Sequence, residues 1–315
     1  MNILFMGTPD FAVSSLDALV ASGENVAGVV TQPDKMQGRG YKLTPSPVKA
    51  RATELGIPVY TPATLRGDDF AALLSDIDPD LIVVAAFGKI LPHNVISYPG
   101  LGCINVHGSL LPEYRGAAPM QRAVIDGKKF TGITTMMMDD GLDTGDILLT
   151  RRVDIGEDDD FEVVHDRMAA AGAELLVETL TALKNGTLVR ISQSDIDLAP
   201  TYASKIEKSD CVIDFSKPAN TIHDLIRGLS PVPLALTRTP DGKLLKIIKS
   251  SVGGTASSAV PGTVVALDGG ITVACGDNGC ERMTFLRVLP EGKSRMDASD
   301  FIRGRKISVG DVLKY

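Results

Sequence analysis

The feature that most constrains the fold is a continuous apolar run at residues 81–87, which reads LIVVAAF. A strand that is apolar on both faces has to be covered on both faces, as in parallel sheets flanked by helices. Shorter apolar strands alternate with helical stretches such as 69–75 and 120–125; these strands are predicted at residues 3–6, 26–31, 58–59 and 103–107. The alternation predicts an α/β fold with a doubly wound, mostly parallel, Rossmann-like sheet.

The turn after the first predicted strand argues against a nicotinamide cofactor. Residues 6–9 read MGTP, so Pro9 stands where a dinucleotide-binding turn needs a glycine for close backbone approach. In an open α/β sheet the ligand lies outside the carboxyl ends of the strands. The loops that follow Phe87 and His107 are therefore the predicted ligand-binding edge.

The length of 315 residues favours two domains, since one hydrophobic core seldom grows beyond about 250–300 residues. Residues 186–207 lose periodicity, and beyond them one amphipathic helix precedes short strands separated by Gly and Asp-Gly turns. That spacing suggests a small β-barrel. We therefore predict a catalytic domain at residues 1–187, a linker at 188–207 and a barrel at 208–315.

Composition and sequence pattern limit the class of protein and the cellular compartment that are expected. The chain begins with a strand instead of a basic leader, and it has no apolar run of membrane-spanning length, so a cytoplasmic protein is expected. Its four cysteines and four histidines form no zinc pattern, so no metal is predicted. Residues 208–315 carry 15 basic and 11 acidic side chains within a chain of net charge −7, which weakly favours a polyanion-binding surface there.

Three polar side chains in residues 103–146 suit chemistry at an acyl carbon. Asn105 and His107 lie two residues apart in a predicted strand, so they project to the same face. Asp143 follows in a turn between two glycines. An amide can polarise a carbonyl, an imidazole can carry charge, and a carboxylate can take a proton. A structural histidine and a turn-forming aspartate are the alternative interpretation.

The sequence motifs around these residues resemble those of the folate-dependent formyltransferase family, and the resemblance extends over nearly the whole chain. They are NVHGSLLP at 105–112, YRGAAP at 114–119 and GLDTGD at 141–146. The resemblance implies Asn105, His107 and Asp143 as catalytic residues and an OB-like barrel as the second domain. It also implies 10-formyltetrahydrofolate as the formyl donor, framed by four consecutive residues: Ser109, Leu110, Leu111 and Pro112.

The same resemblance implies that the formyl group is transferred to the α-amino group of methionine on initiator tRNA. Residues 31–49 form a long Gly/Pro-rich stretch, and in the family this insertion meets the acceptor end of the tRNA. Arg39 and Lys42 are the expected tRNA-binding residues, although a solvated loop is the simpler alternative. Arg115 and Arg122 are interpreted either as contacts to the tRNA 3′ end or as surface ion pairs.

The sequence departs from the family pattern at one position, and three alternative functions are considered. Val232 lies between two prolines where the family usually has Trp, and the chain has no Trp. The rivals are a formyltransferase for a small-molecule amine, a hydrolase that passes the formyl group to water, and an inactive RNA-binding module. No segment resembles a dimer interface, so a monomer is expected.

Overall fold

The computed structural model describes residues 1–37, 42–304 and 306–314, and contacts along the chain group them into two compact units. The first unit comprises Met1–Pro119, Thr131–Asp154 and His165–Ala203. The second comprises Met120–Phe130, Ile155–Val164 and Ser204–Tyr315. Two short segments of the predicted catalytic domain, 120–130 and 155–164, are thus grouped with the second unit, and residues 188–203 of the predicted linker are grouped with the first.

The first unit contains a seven-stranded sheet with helices around it. Its strands and the short strand pairs beside it are β1 (Asn2–Gly7), β2 (Asn25–Val30), β3 (Lys35–Gln37), β4 (Lys42–Thr44), β5 (Val59–Tyr60), β6 (Leu81–Ala85), β7 (Cys103–His107), β8 (Arg115–Gly116), β9 (Phe130–Met137), β10 (Ile147–Asp154) and β11 (Tyr202–Ala203). The helices up to this point of the chain are α1 (Asp10–Ala21), α2 (Pro47–Glu54), α3 (Asp68–Ile77), α4 (His93–Ile96), α5 (Pro119–Ile125) and α6 (Phe161–Lys184).

The sheet order is β10-β9-β7-β6-β1-β2-β5, and the strands β1, β2, β5, β6 and β7 run parallel to one another. The β7–β9 pair is antiparallel. This arrangement confirms the predicted mostly parallel, doubly wound α/β sheet. Every residue of β6 is buried, as the apolar run predicts for a strand covered on both faces.

The stretch at residues 31–49 contains more regular structure than its composition suggests. β3 and β4 pair as an antiparallel hairpin, with Met36 opposite Leu43. Ser46 then caps α2: its side chain accepts a hydrogen bond from the Lys49 amide, and Pro47 occupies the first helical position. Pro at that position costs no hydrogen bond, because the first amides of a helix have no partner within it.

The second unit is built on an antiparallel sheet. Its elements are α7 (Ala219–Gly228), β12 (Ala235–Arg238), β13 (Leu244–Thr255), β14 (Val264–Ala266), β15 (Ile271–Cys275), β16 (Glu281–Pro290), β17 (Met296–Asp297) and α8 (Ala298–Arg303). The strand order is β12-β13-β16-β15-β14, and β17 pairs with β16. Val312 bridges to Thr263 beside β14, and Lys314 bridges to Arg238 in β12. The end of the chain thus pairs near both edges of the sheet, as expected for a small barrel-like domain.

Candidate active site

Strand β7 carries two of the predicted catalytic residues to one face of the sheet. Asn105 lies between Val84 of β6 and Met136 of β9, and His107 lies opposite Thr134 of β9. Side chains two residues apart in a strand share a face. His107 is 5% exposed and Asn105 is half-buried. Within the described part of the chain the Asn105 carboxamide has no hydrogen-bond partner, so its donor and acceptor are available to a ligand.

The imidazole of His107 is held between a carbonyl and a carboxylate. Its Nε2 lies 3.1 Å from the carbonyl oxygen of Tyr114, and its Nδ1 lies 3.7 Å from Oδ1 of Asp143. A carbonyl only accepts, so Nε2 carries a proton and donates it. Nδ1 is therefore the ring nitrogen that can gain or lose a proton, and it faces the Asp143 carboxylate.

Asp143 is fixed from both its backbone and its side chain. Its backbone is left-handed, with φ +53°, a conformation that Asp tolerates better than most residues. Its Oδ2 accepts a hydrogen bond of 2.8 Å from the Gly116 amide, which leaves Oδ1 facing His107. The side chain is 16% exposed. Two strands and a distant turn therefore bring a buried imidazole and a partly buried carboxylate together.

The loop after β7 is tied to β9 by a threonine. The Thr134 hydroxyl donates to the Ser109 carbonyl at 2.7 Å and accepts from the Leu111 amide at 3.1 Å. The Ser109 hydroxyl donates to the Glu113 carbonyl at 2.6 Å, so the serine side chain is occupied inside the loop. Among the described residues, the Leu110 amide and the Leu111 carbonyl have no protein partner and remain as one donor and one acceptor.

The predicted tRNA-contacting residues lie in several places. Arg39 is outside the described residues, and Lys42 begins β4 with a side chain that is not described. The guanidinium of Arg115 donates to Gln193 Oε1 through Nε at 3.1 Å and Nη2 at 2.6 Å. In the second unit, Arg122 Nη2 lies 2.6 Å from Oδ2 of Asp210. The ion-pair alternative therefore holds for Arg122, while Arg115 bonds an uncharged amide.

Two site residues were missed by sequence reasoning. Gln193 is 6% exposed and donates through Nε2 to the carbonyls of Asp143 and Gly145 at 2.9 and 2.8 Å. The Thr201 hydroxyl accepts a hydrogen bond of 2.8 Å from the Tyr114 amide. Both lie in the stretch interpreted as a linker because its composition is polar and aperiodic. Nothing in the local sequence distinguishes a buried glutamine from an exposed one there.

Cys103 begins β7 but does not belong to the reactive set. It is fully buried, and burial raises the pKa of its thiol to about 12. The thiolate is the nucleophilic form of cysteine, and this thiol remains protonated at neutral pH. Across the described residues no group of three or more His, Cys, Asp and Glu side chains could hold a metal ion. No helix in that same part of the chain is long and apolar enough to span a membrane.

A mostly parallel α/β sheet that presents an amide, an imidazole and a carboxylate beside the carboxyl end of one strand suits an enzyme for transfer at an acyl carbon. The chain belongs to the formyl transferase family: the family described as "Formyl transferase" matches residues 1–180, and "Formyl transferase, C-terminal domain" matches residues 205–306. These matches include Asn105, His107 and Asp143.

Similar proteins cover the whole chain. A methionyl-tRNA formyltransferase of Caldanaerobacter subterraneus subsp. tengcongensis is 47% identical over 315 residues, which is 100% of both chains. One from Geobacter metallireducens is 47% identical over 98% of this chain and 97% of its own.

Solved structures share the fold at lower identity. An N-formyltransferase from Helicobacter canadensis, in complex with folinic acid and dTDP-3-aminofucose, matches with a TM-score of 0.63 and 19% identity over 90% of this chain and 99% of its own. HypX from Aquifex aeolicus, in complex with tetrahydrofolic acid, matches with a TM-score of 0.62 and 16% identity over 100% of this chain and 51% of its own. At these identities the likeness supports the fold alone.

Proposed function

We propose that this enzyme transfers the formyl group of 10-formyltetrahydrofolate to the α-amino group of methionine on initiator tRNA. The observation that carries the chemistry is the meeting of His107 and Asp143 on the part of the sheet that also presents Asn105, whose carboxamide has no hydrogen-bond partner among the described residues. The substrates follow from the relatives of 47% identity over the full length, which are named methionyl-tRNA formyltransferases.

The loop at residues 109–112 suits the pterin end of the formyl donor, which is a substrate consumed in the reaction. The Leu110 amide and the Leu111 carbonyl, which have no protein partner in the part of the chain that the structure describes, can pair with the polar edge of a flat heterocycle. We expect the apolar loop after β6, residues 87–92, to form a wall for the ring; its Phe87 and Leu91 are buried in the core and anchor the loop. Sites of this kind combine an apolar lining with a few polar groups that fix orientation.

The chain's own groups can stabilise the transfer as charge moves. The attacking amine must be neutral, and an α-amino group has a reference pKa of about 7.7–8.0, so a useful fraction is neutral at pH 7. Its attack on the formyl carbon builds negative charge on the formyl oxygen. Asn105 donates a hydrogen bond to this oxygen, and His107, when it carries a second proton, stabilises the same charge through space.

Asp143 has two tasks in this scheme. Its charge faces and orients the imidazole of His107, and it accepts the proton of the attacking amine directly or through water. The new bond joins the amine nitrogen to the formyl carbon, while the bond between that carbon and the donor nitrogen breaks. The proton that leaves the amine ends on the released donor nitrogen, so the protein is unchanged after turnover.

Two further segments of the chain favour tRNA over a small amine as the acceptor of the formyl group. The first is the basic segment around Arg39 and Lys42, and the second is the C-terminal domain with its excess of basic residues. Phosphate contacts from such residues add affinity that is independent of base sequence. We also propose that this enzyme acts on initiator tRNA in the cytoplasm and as a monomer.

The test is formylation of charged tRNA with purified protein and 10-formyltetrahydrofolate. We expect methionine on initiator tRNA to be formylated rapidly and methionine on elongator tRNA far more slowly. Equal use of the two tRNAs would contradict the proposed specificity. Release of formate without formylmethionine would indicate a hydrolase, and formylation of free amino sugars alone would indicate a small-molecule enzyme.

A further inference from the structure

Gln193 is a buried amide that joins two parts of the candidate active site. It begins the short 3₁₀ helix Gln193–Asp195 and is 6% exposed. Among the described residues its side chain makes four hydrogen bonds, two from the Arg115 guanidinium and two to the carbonyls of Asp143 and Gly145.

The chemistry of its neighbours fixes which way this amide points. A guanidinium has only donors and a carbonyl has only acceptors. The Gln193 oxygen must therefore face Arg115, and its NH₂ group must face the turn that carries Asp143. A flipped amide would set donors against donors and acceptors against acceptors. The Gln193 side chain thus connects β8 to the turn that carries Asp143 in one fixed orientation.

The same two elements are already connected through the reacting carboxylate. Arg115 and Gly116 form β8, and the Gly116 amide donates to Oδ2 of Asp143 at 2.8 Å. Gln193 adds a second link between β8 and the turn, because it joins Arg115 to the backbone of Asp143. Because Asp143 has a φ of +53°, its carboxylate direction depends on this turn keeping an uncommon backbone conformation.

The segment that carries Gln193 is itself anchored on both sides. Ile191 exchanges two backbone hydrogen bonds of 2.9 Å with Ile147 at the start of β10. Further along, the Thr201 carbonyl accepts from the Arg115 amide at 2.9 Å, and β11 pairs with β8. Gln193 is therefore presented from a fixed backbone.

We propose that Gln193 is a positioning residue that sets the distance between Asp143 and His107. This inference rests on the proposed function, since it assigns Asp143 a part in formyl transfer. Gln193 touches neither substrate in this scheme and acts only through the turn. The stretch that resembles a linker in the sequence then determines the geometry of the catalytic carboxylate.

The sharpest test is Gln193→Glu, which keeps the shape and the acceptor toward Arg115 but places a carboxylate oxygen against two carbonyls. We expect the turn to move and kcat to fall by about 100-fold, the effect of misplacing a reacting group by about 1 Å. The KM for the formyl donor should change by less than about threefold, because loop 109–112 is not touched. Gln193→Met removes both sets of hydrogen bonds at similar size and should also lower kcat.

Ser194→Ala is the matched control, because this neighbour in the same 3₁₀ helix is exposed; it should behave as wild type. In an Asp143→Asn background, Gln193→Glu should cost little further activity if both act through one carboxylate. A crystal structure of Gln193→Glu should show Asp143 Oδ1 farther than 3.7 Å from His107 Nδ1. This last measurement requires no activity, so it separates failure of this inference from failure of the proposed function.

Three results would overturn the inference. They are a kcat within threefold of wild type in both Gln193 variants, an unchanged Asp143–His107 distance, and full additivity with Asp143→Asn. Loss of the thermal unfolding transition in both variants would also overturn it, because Gln193 would then act on stability and not on position.

Discussion

At the scale of single residues, the proposed chemistry depends on an imidazole whose two nitrogens have different partners. The Tyr114 carbonyl fixes a proton on Nε2 of His107, so exchange is left to Nδ1. His107→Ala removes this group without touching loop 109–112. We expect formyl transfer to slow by about 10²–10³-fold, the size of effect seen when one group that stabilises a developing oxyanion is removed, with affinity for the formyl donor nearly unchanged. Stopped-flow turnover and equilibrium donor binding measure the two quantities, and near-full turnover would contradict the assigned role.

Asn105 offers a complementary case, because its carboxamide has no protein partner among the described residues. Asn105→Ala should cost turnover without costing stability, since no internal hydrogen bond is lost. Thermal unfolding and formylation kinetics on the same preparation test this. A clear loss of stability with normal turnover would identify Asn105 as a structural residue.

A third residue-scale prediction concerns alkaline pH. Burial raises the pKa of Cys103 from 9.0 to about 12, so the folded chain keeps a thiol that the unfolded chain ionises near pH 9. The unfolded state then binds fewer protons, and stability falls as pH rises between these values. Between these two pH values, ionisation of this thiol in the unfolded state lowers the free energy of unfolding by about 1.4 kcal/mol per pH unit.

Urea unfolding at pH 8, 9 and 10 measures this slope. The free energy of unfolding of Cys103→Ala should decline less steeply with pH than that of wild type. Parallel declines would show that the thiol does not contribute to alkaline destabilisation.

At the scale of elements, the regular core of the first unit could be predicted from the sequence. The apolar run at 81–87 predicted a covered parallel strand, and β6 is buried throughout. Asn105 and His107 were assigned to one face by the period of two in a strand. The hairpin of β3 and β4 was missed, because a Gly/Pro-rich composition conceals two three-residue strands.

The surroundings of Asp143 could not be predicted, because they depend on contacts between distant parts of the chain. The Gly116 amide and the Gln193 side chain reach Asp143 across 27 and 50 residues. Such contacts have no local period or motif. Resemblance to a family supplied the identity of the carboxylate, whereas only the fold shows what holds it.

The prediction at the scale of elements concerns a substitution of Gly116 in β8. Its φ is +121°, and an added Cβ would lie 2.7 Å from the Ala203 carbonyl oxygen. Gly116→Ala should therefore lower the free energy of unfolding by about 1–3 kcal/mol and move the amide away from Asp143, lowering turnover as well.

Gly186→Ala is the matched control for Gly116→Ala. Its φ is +67°, but an added Cβ meets nothing within 4 Å. It should lose some stability through the left-handed backbone alone and keep its turnover. Equal turnover in the two variants would contradict the proposed role of the Gly116 amide.

At the scale of the whole molecule, recognition of tRNA and the chemical step are expected to depend on different residues. Arg39→Ala should raise the KM for charged initiator tRNA severalfold and leave donor binding unchanged, because a single phosphate or base contact is lost. Arg66→Ala, at an exposed position of the first unit, is the charge-matched control. Steady-state kinetics in each substrate measure the effect, and equal losses for tRNA and donor would indicate a general disturbance of the fold.

The most direct test of the central claim is a single-turnover measurement on Asp143→Asn with both substrates saturating. The substitution keeps the size of the side chain and an acceptor for the Gly116 amide but removes the negative charge that faces His107. We predict that formyl transfer to methionine on initiator tRNA slows at least about 100-fold, while both substrates still bind. A single-turnover rate equal to that of wild type would contradict the claim that this imidazole–carboxylate pair performs the reaction.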